Sequence, residues 1–486
     1  MSARADPHRH LPVSARGSTR AGRHRRARRR QEDRCVSATG RLAEFVAGLD
    51  AHGIPDAVLH QAKRCLIDWL GVSLAGSADP SAAVVRAVGE ELDTDGTATV
   101  LGAGRRAGLL TAALANGYAA HVLDYDDTYN PARTTVHGSA PVWPVVLGLS
   151  ERTAVTGSRA LAAFVAGFET EVRIARAAGP AHYEQGWHVT GTVGHFGAAA
   201  AAANQLGLDA DQVAHAFGAA GTQAAGLKGV YGSMGKPLHP GKAAMDGLLA
   251  ALLARRGFTA STTVLDDRRG FLQVLSPDPD IGYVTEALGE TWTLPDNGFK
   301  PYACGSLTHP TIEAVVDLRA EHGFRPEHVA SIQATVNDYV SWVTGKPTPA
   351  TGLEGKFSIF HCAAVAALDG AASIRQFTDE RVTDPAVVEM RDRVTITVDD
   401  ELPKDAASVT VVLEDGRRLT REVRHNKGTP AKPMTDDEIE AKFLDLAGDC
   451  LGPDTARRLV DICWHVETRD SVAEIARLAA GNEVRR

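Results

Sequence analysis

The hydrophobic period of the chain changes twice, and this change constrains the fold more than any other feature. From residue 38 to about 275, apolar residues recur every three or four positions, which is typical of amphipathic helices. Between 276 and 432, runs of alternating β-branched residues predict strands at 329–340, 393–398, 408–413 and 418–423. After Pro433 the helical period returns. The pattern predicts a mainly α fold in which helices at both chain ends enclose a smaller α+β segment.

Nine helices are predicted in the first long segment, at residues 41–48, 56–75, 81–92, 109–123, 141–152, 158–178, 192–206, 210–225 and 242–256. Their many alanines and glycines imply close packing, because small side chains let helix axes approach. Two more helices are predicted among the strands, at 312–321 and 357–369. Glu414-Asp415-Gly416 has the composition of a hairpin turn, and Thr435 with Glu438 forms a capping box that opens a late helix.

Four regions follow from these patterns. We expect a disordered Arg-rich extension at 1–37, a first helical part at 38–275, an α+β lid domain at 276–432 and a helical return at 433–486. Residues 1–35 contain eleven arginines and three acids, a charge of +8, whereas the 486-residue chain carries −8. The remainder therefore carries −16. A protein region with so large a negative net charge binds nucleic acids poorly, and we expect no nucleic-acid partner.

The cysteine pattern and the hydropathy exclude several classes of protein. The six cysteines are scattered, with neither a C-x-x-C pair nor zinc-finger spacing, so reduced thiols in a cytoplasm are expected. The apolar stretches fall far short of the roughly 20 residues that span a bilayer, so no membrane contact is expected.

Two glycine-rich segments resemble nucleotide-binding motifs but lack the required context. In Gly102-Ala-Gly104 the third glycine comes one residue late, at Gly108, and the following acid ends a long helical run instead of a strand. In residues 229–236 the glycine spacing is one residue too long, and Pro237 replaces the hydroxyl residue that would ligate magnesium. Neither segment supports a nucleotide site.

An acidic motif is the first candidate for chemistry. Asp124, Asp126 and Asp127 lie within four positions, and His137 follows. Three carboxylates this close repel one another, so at least one is expected to have a raised pKa unless the group is solvated or binds metal. The ordinary alternative is an Asp-rich helix end without a ligand.

Basic and imidazole residues lie in further loops beside helix starts. His188 precedes an Ala-rich helix, Lys236 lies in a Gly/Pro-rich turn before the helix predicted at 242, and Lys300 with Tyr302 lies in another such loop. His361 lies near the start of the helix at 357–369. Each has an ordinary alternative as a cap, a surface residue or a core histidine. Together they suit proton abstraction beside a carboxylate, in which lysines stabilise the developing negative charge.

Taken together, these segments resemble the MmgE/PrpD family of 2-methylcitrate dehydratases, cis-aconitate decarboxylases and iminodisuccinate epimerases. The resemblance covers roughly residues 40 to 480 in family order. It is carried by Leu66-Ile-Asp68-Trp-Leu-Gly71, Ala115-Asn116-Gly117, Asp124-Tyr-Asp-Asp-Thr128, His137, Gly186-Trp-His188, Gly232-Ser233-Met-Gly-Lys236-Pro-Leu-His239-Pro-Gly, Lys300-Pro-Tyr302 and Lys356-Phe-Ser358.

The resemblance implies a cleft between a large helical domain and an α+β lid, a homodimer, and catalysis of a small carboxylic acid without metal or other cofactor. The catalytic residues that it implies are Asp124, Thr128, His137, His188 and Lys236, and His361, at a position where many relatives have Tyr, is expected to be catalytic as well. The substrate-binding residues that it implies are Lys300, Tyr302 and Ser233.

Three departures from the family pattern concern the substrate. Eight residues, 129–136, separate Thr128 from His137, a somewhat longer spacing than in citrate-type members. Gly305 stands where decarboxylase-like members have a His, and His361 stands where many relatives have Tyr. The leading expectation is a hydro-lyase of the 2-methylcitrate dehydratase type. A cis-aconitate-type decarboxylase and an iminodisuccinate-type epimerase are alternatives, and a non-catalytic carboxylate-binding dimer is the rival from another class.

Overall fold

The computed structural model describes residues 37–92, 96–131 and 133–481, and the fold there is mainly helical, as predicted. The predicted Arg-rich extension lies almost entirely outside these residues. Within them, no helix combines the length and the apolar character that crossing a membrane requires. The first part of the chain forms α1 (Ala38–Gly48), α2 (Asp56–Gly76), α3 (Pro80–Leu92), α4 (Leu109–Val122), α5 (Ser139–Ser150), α6 (Gly157–Glu184), α7 (Val189–Gln205), α8 (Ala210–Gly221), α9 (Gly235–Arg255), α10 (Phe271–Leu275) and α11 (Gly282–Thr285).

Small residues allow these helices to pack closely, as their composition predicts. A Cβ added at Gly117 of α4 would lie 2.8 Å from the Cα atom of Gly241 in α9. A Cβ added at Gly167 of α6 would lie 2.8 Å from the carbonyl oxygen of Gly197 in α7. Both separations are too short for a real side chain, so glycine is needed at these crossings. The first crossing holds α4 and α9, whose ends carry site residues, against each other.

Two helices differ from the sequence prediction by more than five residues at one end. Helix α9 begins at Gly235 instead of 242, so Lys236 lies in its first turn and not in a preceding loop. Pro237 is tolerated there because the first amide groups of a helix have no intrahelical acceptor. Helix α6 continues past 178 to Glu184 across a break at Gly179, whose φ is +70°.

Two short antiparallel pairs accompany the helices. The first pairs β1 (Ala98–Val100) with β2 (Arg105–Ala107), so the glycines considered for dinucleotide binding form a tight hairpin. The second pairs β3 (Thr128–Tyr129) with β4 (Asn297–Gly298), with Thr128 opposite Gly298. This second pair fixes the acidic motif against the segment that carries Lys300.

A four-stranded sheet forms in the region predicted to contain strands. Its order is β6 (Val394–Val398), β5 (Val329–Val336), β7 (Ala407–Leu413), β8 (Arg418–Val423). Strands β5 and β6 are parallel and the other neighbours antiparallel. The β7–β8 hairpin turns at Gly416, with φ of +87°, as predicted. The predicted strand 329–340 is wrong beyond 336, because the Asn337 side chain accepts a hydrogen bond from Tyr339 N and starts a helix.

The buried residues of this sheet belong to a hydrophobic cluster that is separate from the main core. The helices that accompany the sheet are α12 (His309–His322), α13 (Asp338–Thr344), α14 (Gly352–Gly355), α15 (Ile359–Asp369), α16 (Asp379–Thr383) and α17 (Pro385–Asp392).

The end of the chain returns to the first helices. It forms α18 (Asp436–Leu451), α19 (Pro453–Trp464) and α20 (Ala473–Leu478). The predicted capping box at Thr435 and Glu438 is present. A Cβ at Gly71 of α2 would lie 3.1 Å from the Phe443 ring of α18, and Lys442 Nζ lies 2.7 Å from Asp68 Oδ1. The domain boundaries at 275/276 and 432/433 stay predictions.

Candidate active site

Segments far apart in sequence meet around one small cavity of about 250 Å³, including its open mouth. The C-terminal end of α4 and the residues after it form one wall, the first turn of α9 forms another, and the segment before α15 closes it. Among the residues that line it are His121, Asp124, Ser233, Lys236, Lys356 and Phe357.

Asp124 forms the anionic centre of the cavity. Its backbone has φ of +51°, a left-handed conformation that Asp tolerates better than most residues. Its Oδ1 atom lies 2.5 Å from Lys236 Nζ and 3.0 Å from Lys300 Nζ. Burial alone would raise the pKa of Asp124, but the two ammonium groups hold it well below its usual value. Asp124 is therefore ionised and keeps two buried lysines in place.

Asp126 holds two histidines. Its Oδ2 atom lies 2.8 Å from His121 Nδ1 and 3.1 Å from His137 Nδ1. Burial would raise the pKa of Asp126, but the two imidazoles hold it well below its usual value. Burial lowers the pKa of His121 to about 3 and also lowers that of His137. A neutral imidazole that donates Nδ1–H to a carboxylate has an unprotonated Nε2, so Nε2 is the nitrogen of each ring that can act as a base.

The third imidazole comes from the N-terminus of α7. His188 precedes this helix, as the sequence predicts, and is its N-cap residue. Its ring stacks on His121 with centroids 5.7 Å apart. Its Nδ1 atom lies 2.8 Å from Nδ1 of His239. Burial, followed by the charge of Lys236, lowers the pKa of His188 well below its usual value.

His121, His137 and His188 form an imidazole cluster, and Thr128 and Thr190 bind to it. Thr128 Oγ1 lies 3.2 Å from His137 Nδ1, and the His137 backbone N–H donates to Thr190 Oγ1 at 3.0 Å. These contacts tie β3, the loop before α5, and α7 together around His137.

A third buried ammonium group comes from Lys356. Its Nζ atom donates to the carbonyl oxygens of Leu123 at 2.6 Å and Ala303 at 2.8 Å. Burial lowers the pKa of Lys356 to about 8. Lys236 and Lys356 line the cavity and Lys300 binds the Asp124 carboxylate beside Lys236, an arrangement that suits a substrate with several carboxylates.

Behind the cavity lies a second buried layer of polar groups. Asp127 Oδ2 accepts hydrogen bonds from Ser139 Oγ at 2.9 Å and Asn297 Nδ2 at 2.6 Å. Burial, followed by the charges of Asp68 and Asp126, raises the pKa of Asp127 to about 8. The expectation that one acid of the motif has a raised pKa is thereby confirmed for Asp127.

The structure brings together six of the nine residues proposed from the sequence: Asp124, Thr128, His137, His188, Lys236 and Lys300. Ser233 lies at the exposed edge of the cavity, where its Oγ donates to the carbonyl of Val230 at 2.6 Å. Tyr302 packs edge-on against His309, with ring centroids 5.3 Å apart. Its role in binding stays a prediction.

His361 lies on α15 among the helices that surround the sheet. Its Nε2 atom lies 2.8 Å from the carbonyl oxygen of Gln376, and its ring packs against Phe377. In the part of the chain that the structure describes, its ring contacts Gln376 and Phe377 and not the histidines of the cavity, so a catalytic role for His361 stays a prediction.

Four side chains around the cavity and the histidines were not among the site residues proposed from the sequence: His121, Asp126, His239 and Lys356. Asp126, His239 and Lys356 lie inside the segments that carried the resemblance, so a signal was present for them, whereas His121 lies between two of those segments. What the segments do not reveal is that His121 and Asp126 pair across the end of α4, or that His239 reaches His188.

The same cluster contains possible metal ligands. One ligand atom from each of His121, His137 and His188 lies within 4.8 Å of the other two, and the same holds for His121, Asp124 and Asp126. The charge of Lys236 lowers the pKa of each of these histidines, so it also opposes a cation there. The donor set fits an organic anion better than a divalent metal.

Comparison with known proteins agrees with this arrangement. Residues 40–284 match the MmgE/PrpD N-terminal domain, and residues 302–467 match the MmgE/PrpD C-terminal domain. The chain belongs to the MmgE/PrpD family.

Several MmgE/PrpD relatives are named cis-aconitate decarboxylases. The chain is 29% identical to the cis-aconitate decarboxylase-like protein oryM of Aspergillus oryzae, over 92% of this chain and 98% of that protein. It is 28% identical to the cis-aconitate decarboxylases of Mus musculus and Homo sapiens, over 92% of this chain and 94% and 95% of theirs. These similarities support a lyase-type enzyme. They favour the decarboxylase alternative over the 2-methylcitrate dehydratase that the sequence analysis put first.

The departure from decarboxylase-like MmgE/PrpD members at Gly305 has a structural counterpart. A Cβ at Gly305 would lie 3.2 Å from the Phe357 ring and 3.4 Å from the carbonyl oxygen of Lys356. Phe357 therefore packs where a side chain at 305 would begin, and it also lines the cavity.

Proposed function

We propose that the protein is a carboxy-lyase that acts on a small unsaturated tricarboxylate of the cis-aconitate type. The observation that carries this proposal is the juxtaposition of two buried lysines on Asp124 with two neutral histidines on Asp126. The names of the relatives support the choice of substrate class.

Substrate carboxylates would bind the ammonium groups. Lys236 and Lys300 already share one carboxylate oxygen of Asp124, so their positions suit bridging of a second anion. In a buried cavity such charge-assisted hydrogen bonds are stronger than in water, because the effective dielectric constant is lower. Lys356 offers a third positive charge from the segment that closes the cavity before α15.

The proposed reaction breaks the bond between carbon and one carboxylate. Carbon dioxide leaves, the electron pair remains on the allylic carbon skeleton, and the remaining carboxylates share the negative charge with the ammonium groups. One of the imidazoles, which is neutral at rest, takes up a proton from solvent and delivers it to carbon. Each turnover therefore consumes one proton from outside the substrate.

A hydro-lyase reaction of the 2-methylcitrate dehydratase type is the second candidate, and Gly305 favours it. Decarboxylase-like relatives have a histidine there, so this chain needs a different proton donor if it decarboxylates. A dehydratase would abstract a proton at carbon and return it to the leaving hydroxyl, with no net proton uptake.

Proton NMR of the purified protein with cis-aconitate and 2-methylcitrate in heavy water tests both candidates. The proposal predicts loss of carbon dioxide from cis-aconitate and one solvent deuterium on a carbon of the product. Formation of an alkene and water from the hydroxy acid would support the second candidate. Tight binding by calorimetry without deuterium exchange would instead indicate a carboxylate-binding protein.

The homodimer, which rests on the resemblance, and the cytoplasmic location, which rests on the cysteine pattern, are also proposals. Light scattering of the purified protein tests the homodimer.

A further inference from the structure

We propose that a buried ion pair, Lys442 with Asp68, positions the catalytic groups of the candidate site. Neither residue is part of the cavity lining. The pair acts on the site through the backbone, and the groups that it positions are Asp126 and Lys300. This inference rests on the proposed function only in taking the cavity as the active site, and it applies equally to loss of carbon dioxide and to loss of water.

Lys442 uses all three hydrogens of its ammonium group inside the protein. Its Nζ atom donates to Asp68 Oδ1 at 2.7 Å and to two backbone carbonyl oxygens, those of Tyr125 at 2.7 Å and Lys300 at 3.0 Å. A neutral amine has only two hydrogens, so three acceptors require the charged form. No hydrogen remains for a substrate, so Lys442 is a positioning residue and not a catalytic one.

The pair binds the peptide groups on both sides of Asp126. The Tyr125 carbonyl, which Lys442 binds, belongs to the peptide group before Asp126. The peptide group after it carries the backbone N–H of Asp127, which donates to Asp68 Oδ2 at 3.1 Å. Because a peptide group is planar, fixing both groups leaves the backbone of Asp126 little freedom. Its carboxylate, which holds two histidines of the imidazole cluster, is thereby fixed as well.

The same ammonium group connects this backbone to Lys300. The Lys300 carbonyl belongs to the residue whose Nζ atom binds Asp124. The Tyr125 hydroxyl adds a second link, because it donates to the carbonyl of Pro301 at 3.1 Å. The centroid of the Tyr125 ring also lies 3.8 Å from Lys442 Nζ, a cation–π contact. The acidic motif and the segment of Lys300 are therefore joined through Lys442 as well as through Asp124.

Close packing of two helices brings the pair together. Asp68 lies in α2 and Lys442 in α18, and a Cβ at Gly71 would lie 3.2 Å from the Cα atom of Phe443. A side chain at Gly71 would force the two helices apart. Apolar residues often replace a buried ion pair without loss of stability, so stability alone does not explain the charges. Apolar residues could not supply the three hydrogen bonds that the pair makes to the backbone of the site.

The test is Lys442→Met, assayed with whichever of cis-aconitate and 2-methylcitrate the wild type converts. Methionine has a similar length but donates no hydrogen bond, so two carbonyls of the site lose their donor. We expect kcat to fall about tenfold, because small displacements of catalytic groups slow turnover this much. We expect KM to rise as well, because Lys300 shifts.

Lys63→Met is the matched control. Lys63 also joins α2 to the end of the chain, and its Nζ atom also binds a carboxylate, Glu467 Oε1 at 2.8 Å, and a carbonyl, that of Trp464 at 3.0 Å. Neither partner lines the cavity. This variant should keep the kcat and KM of the wild type.

A double variant separates positioning from general damage to the fold. If Lys442 acts on turnover through Asp126, its loss should matter little once Asp126 has lost its charge. The kcat of Lys442→Met combined with Asp126→Asn should lie within about threefold of that of Asp126→Asn alone. The rise in KM, which comes through Lys300, should remain. A further tenfold fall in kcat would show independent effects and overturn the proposal, as would an unchanged kcat in Lys442→Met.

Two further measurements keep this inference separate from the proposed function. If Lys442→Met does not fold, as judged by circular dichroism, Asp68→Asn combined with Lys442→Met leaves no unpaired buried charge and should show the same fall in kcat. If the wild type converts neither acid, the proposed function fails, and a crystal structure of Lys442→Met tests the positioning by itself. Wild-type positions of Asp126 and Lys300 in that structure would overturn the proposal.

Discussion

Lys300 Nζ lies 3.0 Å from Oδ1 of Asp124, although 176 residues separate the two in sequence. The contact joins the segment after β4 to the residue that follows α4. Lys236 binds the same oxygen from the first turn of α9. One carboxylate thus connects three parts of the chain that are remote in sequence, and its negative charge stabilises both buried ammonium groups.

Replacement of Asp124 by Asn should destabilise the ligand-free protein and make its thermal stability depend more strongly on a bound ligand. The amide has nearly the same shape but no charge, so two buried lysines lose their counterion. Breaking a buried ion pair from one side costs about 3 kcal/mol. We expect a lower thermal unfolding midpoint and a larger stabilisation by tricarboxylates than in the wild type, measured by thermal denaturation with and without ligand.

Asp246→Asn is the matched control for this prediction. Asp246 is also a buried carboxylate bound to a lysine, Lys242, but it does not line the cavity. Its variant should lose stability without gaining sensitivity to ligand. Equal ligand stabilisation in Asp124→Asn and the wild type would contradict the role given to Asp124.

Replacement of Asp126 by Asn should impair turnover more than binding. Asp126 accepts Nδ1–H of His121 and His137 and raises the pKa of both rings, against the opposing effect of burial. An amide nitrogen in its place would donate to Nδ1 and favour the opposite tautomer. We expect kcat to fall about 100-fold, with KM little changed, in steady-state kinetics.

The exposed Asp399 provides the control, since Asp399→Asn makes the same chemical change on the surface. It should retain wild-type kinetics. A kcat near the wild-type value in Asp126→Asn would show that the two histidines are oriented by other contacts.

Where a secondary-structure element follows from local pattern, the sequence predicts it well. Strand β8 has the predicted bounds, and the turn at Gly416 follows from its composition. The prediction fails where one side chain or a permissive position decides: Asn337 ends β5 early, and α9 accommodates Pro237 and Pro240. Such events depend on a few hydrogen bonds that the hydrophobic period does not encode.

The candidate site, like the fold, could be predicted from the sequence only in part. Residues such as Asp124 and Lys236 could be proposed because they lie in short, recognisable segments. The pairing of His121 with Asp126 depends on the left-handed backbone at Asp124, and the position of Lys356 depends on carbonyl groups of Leu123 and Ala303. These are tertiary contacts between backbone and side chain, so no pattern of residue types reveals them.

Replacement of Asp127 by Asn should make stability less sensitive to pH. The pKa of Asp127 is about 8 in the folded protein, against about 4 in an unfolded chain. Between these values the folded state holds a proton that the unfolded state has lost, so stability falls as pH rises, by up to about 1.4 kcal/mol per pH unit. Asn cannot ionise, so thermal midpoints between pH 5 and 8 should fall less steeply in the variant.

Asp415→Asn is the control for this pH dependence. Asp415 is an exposed acid at the β7–β8 turn whose pKa is lowered, mainly by a hydrogen bond from the Arg417 backbone. It is ionised in both states above pH 5, so its variant should keep the wild-type slope. Parallel slopes for Asp127→Asn and the wild type would show that Asp127 is already ionised at pH 5.

Deprotonation of Lys356 should lower kcat/KM at alkaline pH. Its pKa of about 8 means that the ammonium group is charged at pH 6 and largely neutral at pH 9, so its attraction for a carboxylate is lost as pH rises. We expect kcat/KM to decline through pH 8 in the wild type. In Lys356→Met it should be lower by about tenfold at pH 7, with a weaker decline.

Lys346→Met separates this effect from a general change in charge, because Lys346 is a half-exposed lysine bound to Glu354 near the start of α14. Its pH profile should follow that of the wild type. The test uses kcat/KM because this quantity reports groups of the free enzyme. If the decline through pH 8 is as steep in Lys356→Met as in the wild type, a different group titrates. If KM at pH 7 is also unchanged, Lys356 supports the backbone around Leu123 and Ala303 without contacting the substrate.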